Sequence, residues 1–340
     1  MDSSANYNVV LMHLYRYLGI PLYIFGNFGQ LFSAMIFLKK SWRKNVCVFY
    51  FLVSLIFNLI YLNSAMLGVI FIYGFNINLI NSNVVLCKLF NYITFFFSTF
   101  PSSMLVLASI DRLLVSSENV ETRLYSSRRL AYFSLSVSTC FWLIFFVHVL
   151  IEFNIEQVGP FLFICLFNSN GFYSIFLSNS TTIFNLLLFV LLIILSIFSF
   201  KNVRQNRLIP RQQRRTFRSM HKKDLELLRC LYFQDLIYLL TSILLIFHTI
   251  YGTIINNQIH TSSIQAFKNF LLNLGVFIHH IPFSINFFIY LTISKAFRHE
   301  FKRLIYRICG IQLRRIQGEE ENIQQNNVEM NVVSISVVPI

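Results

Sequence analysis

The sequence predicts an all-α integral membrane protein: a seven-transmembrane helix bundle with a short amphipathic helix eight on the inner surface. Three observations carry that prediction. Seven apolar runs follow one another, each about as long as the ~20 residues a bilayer requires. Only 12% of the residues are charged, against about 25% in a soluble domain, and the mean hydropathy is +0.61. Of the 28 Lys and Arg residues, all but Arg16, Lys88 and Lys268 fall on one set of alternate loops.

The first run covers residues 17–38 and contains Gly26-Asn27, an amide expected to face other helices. Four basic residues in KKSWRK end it. The second covers 46–73, with Asn58 at mid-span and Ser54 one turn earlier on the same face. The third, from Cys87 to Arg112, is the organising helix. Its 25 steps rise about 37 Å, which puts the cysteine near one membrane face and Asp111-Arg112 near the other. Pro101 lies inside it. The fourth covers 130–151, with Trp142 and His148; no second histidine sits four residues from that one, so a metal site is not expected.

A longer connection, residues 152–178, carries Cys165 in the apolar patch FLFICLF, which is too short to span. Asn179-Ser180-Thr181 is a glycosylation sequon, with Asn179 close to the start of the fifth run at Thr182. The most basic loop, 201–223, precedes the sixth run, 225–251, which contains Asp235. The seventh covers 267–291, with Pro282. Beyond it Phe297, Phe301, Leu304 and Ile308 recur at helical spacing among Lys and Arg, the pattern of a helix lying on a membrane surface. Cys309 closes that helix as an acylation candidate or an unmodified interfacial thiol. The expected organisation is a short extracellular N-terminus (1–14), the bundle (15–293), helix eight (294–310) and a disordered cytoplasmic tail (311–340).

Lys- and Arg-rich short loops stay cytoplasmic, so the N-terminus is expected outside and the tail inside, in the plasma membrane. The net charge of +14 then reflects contact with anionic lipid rather than nucleic acid. The same topology leaves Cys87 and Cys165 as the outer cysteines, where oxidising conditions let them pair. Cys47, Cys140, Cys230 and Cys309 are expected to stay reduced.

Seven spans, an outer cysteine pair and Asp-Arg at the inner end of span three resemble the rhodopsin-like (class A) G-protein-coupled receptors. Gly26-Asn27 is similar to that family's Gly-Asn of helix one, and Cys87 and Arg112 have its spacing along helix three. Asp111-Arg112-Leu113 stands where it has Asp-Arg-Tyr, and Trp142 fits its helix-four tryptophan. Asn286-Phe287-Phe288-Ile289-Tyr290 stands where it has Asn-Pro-x-x-Tyr, with Phe297 beyond. The resemblance covers roughly residues 15–310. There are departures: Asn58 replaces the helix-two aspartate, Phe287 replaces the helix-seven proline, and YLLTSILLIF in helix six has neither Trp nor Pro. They resemble a divergent invertebrate branch, with neuropeptide receptors the nearest likeness.

The resemblance implies an extracellular ligand and a heterotrimeric G protein as partners, and no cofactor. Arg112 is the implied switch, with Asp111, Asp224 or Glu226 as partners and Asn286 and Tyr290 in the same machinery. The implied ligand pocket draws on Thr94, Phe95, Phe247, Tyr251, Phe277 and His280. Thr94 stands where aminergic receptors carry an aspartate, which disfavours an amine. Neither Lys268 nor Lys295 lies in the core of helix seven, which disfavours retinal. A peptide with an aromatic side chain suits the remaining Phe and Tyr.

Asp235 has two readings: a neutral acid packed against helix five or seven, or a partner for a basic residue. An enzyme is not expected, because there is no G-x-S-x-G, no H-E-x-x-H and no paired intramembrane aspartates. The alternative class is a membrane transporter or channel, whose usual signs are inverted repeats and several intramembrane charges.

Overall fold

The computed structural model describes residues 3–77, 79–117, 119–159, 162–166, 172–208, 222–255 and 262–309. The polar tail expected from residue 311 and most of the basic loop, residues 209–221, lie outside them. The chain divides into two units, Met1–Lys295 and Ala296–Ile340.

The first unit holds seven helices long and apolar enough to cross a membrane: α1 (Asn6–Phe37), α2 (Val46–Gly74), α3 (Val84–Ser116), α4 (Arg128–Glu152), α5 (Ile175–Ser199), α6 (Leu225–Leu245) and α7 (Ala266–Ile293). The helical stretches run further than the apolar runs: Phe172–Leu208 around α5, Lys222–Ile255 around α6 and Ser262–Ile293 around α7. A chain with these seven helices is a multi-pass membrane protein.

Local chemistry sets several helix starts. Asn45, Asn83 and Ser127 cap α2, α3 and α4, their side-chain oxygens accepting from the backbone N–H of Cys47 (2.9 Å), Val85 (2.8 Å) and Leu130 (3.3 Å). α3 continues unbroken through Pro101, whereas α4 is interrupted at Phe146, between Arg128–Phe145 and Val147–Glu152. Three π-turns interrupt α-helical winding, Tyr15–Gly19 in α1 and Leu62–Met66 and Ile70–Gly74 in α2.

α3 is the central helix, packing against α2, α4, α5 and α6, while α7 packs against both α6 and α1. Small residues let α1 and α7 approach closely. A Cβ on Gly29 would stand 2.7 Å from the Phe287 Cβ, and one on Gly26 would stand 2.9 Å from Leu62 and 3.0 Å from Ser284. Trp142 of α4 donates through Nε1 to Ser103 Oγ of α3 at 2.8 Å, both side chains being buried.

Three elements differ from the sequence expectation. The N-terminal segment is helical from Ser3, and Tyr7 stacks on Phe270 of α7 with ring centroids 5.1 Å apart. Leu11 and Tyr15 are buried, which gives this turn of helix an apolar reason to form. The fold is not purely α: β1 (Asn154–Gly159) and β2 (Leu162–Leu166) form an antiparallel hairpin after α4, with Ile155 opposite Cys165. Finally, the helix of α5 begins at Phe172 and encloses Asn179, which is exposed on it rather than in a loop. Ser180 and Thr181 satisfy their hydroxyls on the Leu177 carbonyl, at 3.2 and 2.7 Å, so polar residues here do not break the helix.

The second unit is described from Ala296 to Cys309, nearly all of it within the helix α8 (Lys295–Ile308). Glu300 and Arg303 face each other at 3.6 Å, and Cys309 follows as an exposed, free thiol.

Candidate functional site

The two ends of α3 carry the candidate site, and they are built differently. At one end Cys87 is disulfide-bonded to Cys165, with Cα atoms 5.7 Å apart. Cys165 donates its backbone N–H to Asn81 Oδ1 at 2.9 Å. Asn91, one turn along α3, donates to the Cys87 carbonyl at 2.9 Å. The hairpin is thereby fixed to the start of α3. Beside it, Tyr173 and His148 share a hydrogen bond of 2.8 Å. Burial and the nearby Glu152 carboxylate push the Tyr173 phenol up to about 12, so it keeps its proton throughout the physiological range. The other cysteines, Cys47, Cys140, Cys230 and Cys309, are free.

At the other end Arg112 is the largest fully buried side chain, 2% exposed. Its guanidinium donates to Asp111 Oδ2 from Nη2 at 2.5 Å and from Nε at 3.1 Å. Nη2 also donates to Asn45 Oδ1 at 3.0 Å. Asp111 Oδ1 in turn accepts from Ser126 Oγ at 2.5 Å. Neighbouring positions on a helix ordinarily diverge; here the long Arg side chain folds back to its neighbour because a buried charge requires a counter-charge. Asn45 serves twice, as cap of α2 and as acceptor for Arg112. One network therefore joins α3, the start of α2 and the segment before α4.

Glu226 of α6, also buried, accepts from Ser294 Oγ at 2.8 Å, which ties α6 to the end of α7. The side chain of Asp224 lies outside those described. Tyr290 is buried in α7, accepts from Gln234 Nε2 at 2.9 Å and meets Phe37 edge-on at 5.0 Å. Asn286 is buried one turn away.

The residues of the implied ligand pocket have varied surroundings. His280 is buried and shares a 2.8 Å hydrogen bond with the Tyr61 hydroxyl through Nδ1. Phe277, also buried, meets Tyr15 edge-on at 5.2 Å. Thr94 has a buried Oγ1 with no partner. Phe95 instead stacks towards α4, 5.9 Å from Phe146, and Phe247 is 63% exposed. The side chain of Tyr251 lies outside those described.

Asp235 is 3% exposed. Its Oδ2 accepts from Ser196 Oγ of α5 at 3.3 Å, and Oδ1 has no partner. No basic side chain pairs with it among the described residues, so the structure favours the reading in which it packs against α5.

Sequence reasoning missed Asn45, Ser126, Ser294, Gln234 and Gln30. Gln30 Nε2 donates to the Phe283 carbonyl, tying α1 to α7. Asn27 faces another helix as expected, its Oδ1 accepting from Asn63 Nδ2 of α2 at 2.6 Å. A cap signal, Asn directly before an apolar run, was available for Asn45.

Fold and site together define a multi-pass membrane protein whose central helix is covalently fixed at one end and carries at the other a buried ion pair hydrogen-bonded to neighbouring segments. No protein-family model and no curated protein matches this chain in sequence comparison.

Proposed function

We propose that the chain is a divergent rhodopsin-like G-protein-coupled receptor of the plasma membrane. It binds an extracellular ligand, with a neuropeptide favoured, at the disulfide end and activates a heterotrimeric G protein at the arginine end. The observation that carries this reading is the buried Arg112–Asp111 pair with its links to Asn45 and Ser126. A fully buried guanidinium is costly even when paired and hydrogen-bonded, and intramembrane charges that are retained mark functional sites. Here it is paired with Asp111 on its own helix, and it reaches the start of α2 directly through Asn45 and the segment before α4 by way of Asp111 and Ser126, so displacing it loosens those elements together. The basic loops supply the orientation, with the arginine end cytoplasmic, and α8, with its alternating apolar and basic residues, suits the inner membrane surface as an eighth helix.

In this reading the structure is the closed state. Ligand affinity that differs between two states shifts their populations, and about 5.5 kcal/mol of difference moves 1:99 to 99:1. Opening separates the arginine end of α6 from its neighbours, which requires the Glu226–Ser294 bond to break. The test uses cells expressing the chain, a panel of amidated invertebrate peptides and a second-messenger readout, with wild type beside Arg112→Ala. A peptide response that disappears in the variant, while binding at the surface survives, supports the reading. A response that survives the substitution removes Arg112 from the mechanism. Uptake of solute in place of a second-messenger response would favour a transporter.

A further inference from the structure

Asp235 is a carboxyl buried between three helices with too few donors to be a carboxylate. An ionised carboxylate offers about four acceptor positions and no donor. The bond made to it is from Ser196 Oγ of α5 at 3.3 Å. The Ser109 hydroxyl of α3 stands beside the carboxyl, yet Ser109 Oγ and Asp235 Oδ1 are both buried and both without a hydrogen-bond partner. On α6 itself, Leu231 and Leu239, one turn to either side, are buried and apolar. The groups that act on the carboxyl from the packed elements are Ser109 and Ser196, and no charged side chain among the described residues does so. An uncompensated charge in such a place is expensive, and neutralisation is the usual outcome.

We propose that Asp235 is a proton-binding site that latches α3, α5 and α6 together. With a proton on Oδ1, the acid becomes a donor, and Oδ1–H bonds to Ser109 Oγ while Ser196 Oγ continues to donate to Oδ2. Both orphaned atoms are then satisfied and no charge remains. Separation of α6 from α3 and α5 breaks these bonds and admits water. The O–H bond of the carboxyl then breaks heterolytically, the electron pair stays on the carboxylate and the proton passes to water at the arginine end. One proton released per opening makes the opening equilibrium depend on pH by up to about tenfold per pH unit, higher pH favouring the open state. The proton site stands apart from the receptor reading; only the cellular meaning of the opening rests on it.

The test uses the full chain in lipid nanodiscs. Infrared difference spectra between wild type and Asp235→Asn isolate the C=O stretch of a protonated carboxyl, which is expected in wild type and missing in the variant. Ser109→Ala is expected to move that band to higher frequency, since the acid loses its acceptor. Ser109→Ala also guards against an Asp235→Asn chain that fails to fold. Spin labels at the arginine ends of α3 and α6 are expected to separate as pH rises in wild type and to ignore pH in Asp235→Asn. A missing band at every pH, a band indifferent to both substitutions, or an inter-label distance insensitive to pH in wild type would overturn the proposal. So would a band present only when sodium is withdrawn at fixed pH, which would assign the site to a metal cation. None of these readouts involves ligand or G protein, so their failure is distinguishable from failure of the receptor reading.

Discussion

The two ends of α3 solve one problem with different chemistry. At Cys87 the helix is joined to the hairpin by a covalent bond that closes 78 residues of chain. At Arg112 an ion pair within the helix is joined to its surroundings by hydrogen bonds to Asn45 and Ser126, each of which can exchange partners. A covalent end has one arrangement, and an end made of exchangeable bonds has several. The difference teaches that motion in this bundle belongs at the arginine end, with the disulfide end as its fixed reference.

That contrast can be broken most severely at the covalent end. Cys87→Ser is expected to lower stability by about 4–5 kcal/mol in the loop-entropy view, read as a lower melting temperature in detergent. Reductant should bring wild type to the same value; equal melting of wild type with and without reductant would mean that the bond contributes nothing to the reference frame. Next in size, Arg112→Ala leaves the Asp111 carboxylate buried without its counter-charge. A loss of roughly 3–5 kcal/mol is expected, together with silent signalling and retained surface binding. If hydrogen exchange then quickened at the hairpin rather than at the arginine end, the contrast would fail.

Asn45→Ala sharpens the contrast with a smaller change. It removes the cap of α2 and one acceptor of Arg112, for about 1–2 kcal/mol. Faster exchange of the Cys47 amide is the expected signature, with the disulfide end unaffected. Smallest of all, Ser294→Ala deletes the Glu226 bond at a cost of about 0.5–1.5 kcal/mol. Raised activity without ligand is its expected sign, since it loosens α6 and leaves α3 alone. Unchanged basal activity would place the restraint on α6 elsewhere.

Much of this fold was legible because apolar runs and charged loops obey the bilayer. The seven spans, the Cys87–Cys165 pair and the place of Asp111-Arg112 at the other end of α3 follow from hydropathy and from which loops carry Lys and Arg; the burial of that pair does not. Boundaries were less legible where polar residues satisfy themselves. The cluster around Asn179 reads as a loop, yet Ser180 and Thr181 bond to the Leu177 carbonyl and the helix starts at Phe172. The hairpin was hidden because its apolar stretch was judged by span length, although Gly159-Pro160 marks a turn in its midst. The partners of the candidate site were hidden for a different reason. Asn45 and Ser126 reach Arg112 and Asp111 only through three-dimensional packing, and Gln30 differs from Asn27 by less than one helical turn. Hydropathy does not resolve a rotation of that size. Which aromatic residues turn inward was equally invisible, as Phe95 and Phe247 illustrate.

The π-turns have a consequence for length. Deleting one residue from an α-helix rotates everything beyond it by about 100°, enough to turn an inward face to lipid. Near Ser54 or Asn58, such a deletion would swing Tyr61 and His280 out of register. Leu62–Met66 and Ile70–Gly74 are different, because each already winds a surplus residue into its turn. Removing one there restores regular winding and leaves the facing of the flanking segments intact. α2 therefore carries two built-in splice points, places where the chain can be shortened by one residue without rewriting which side chains look inward.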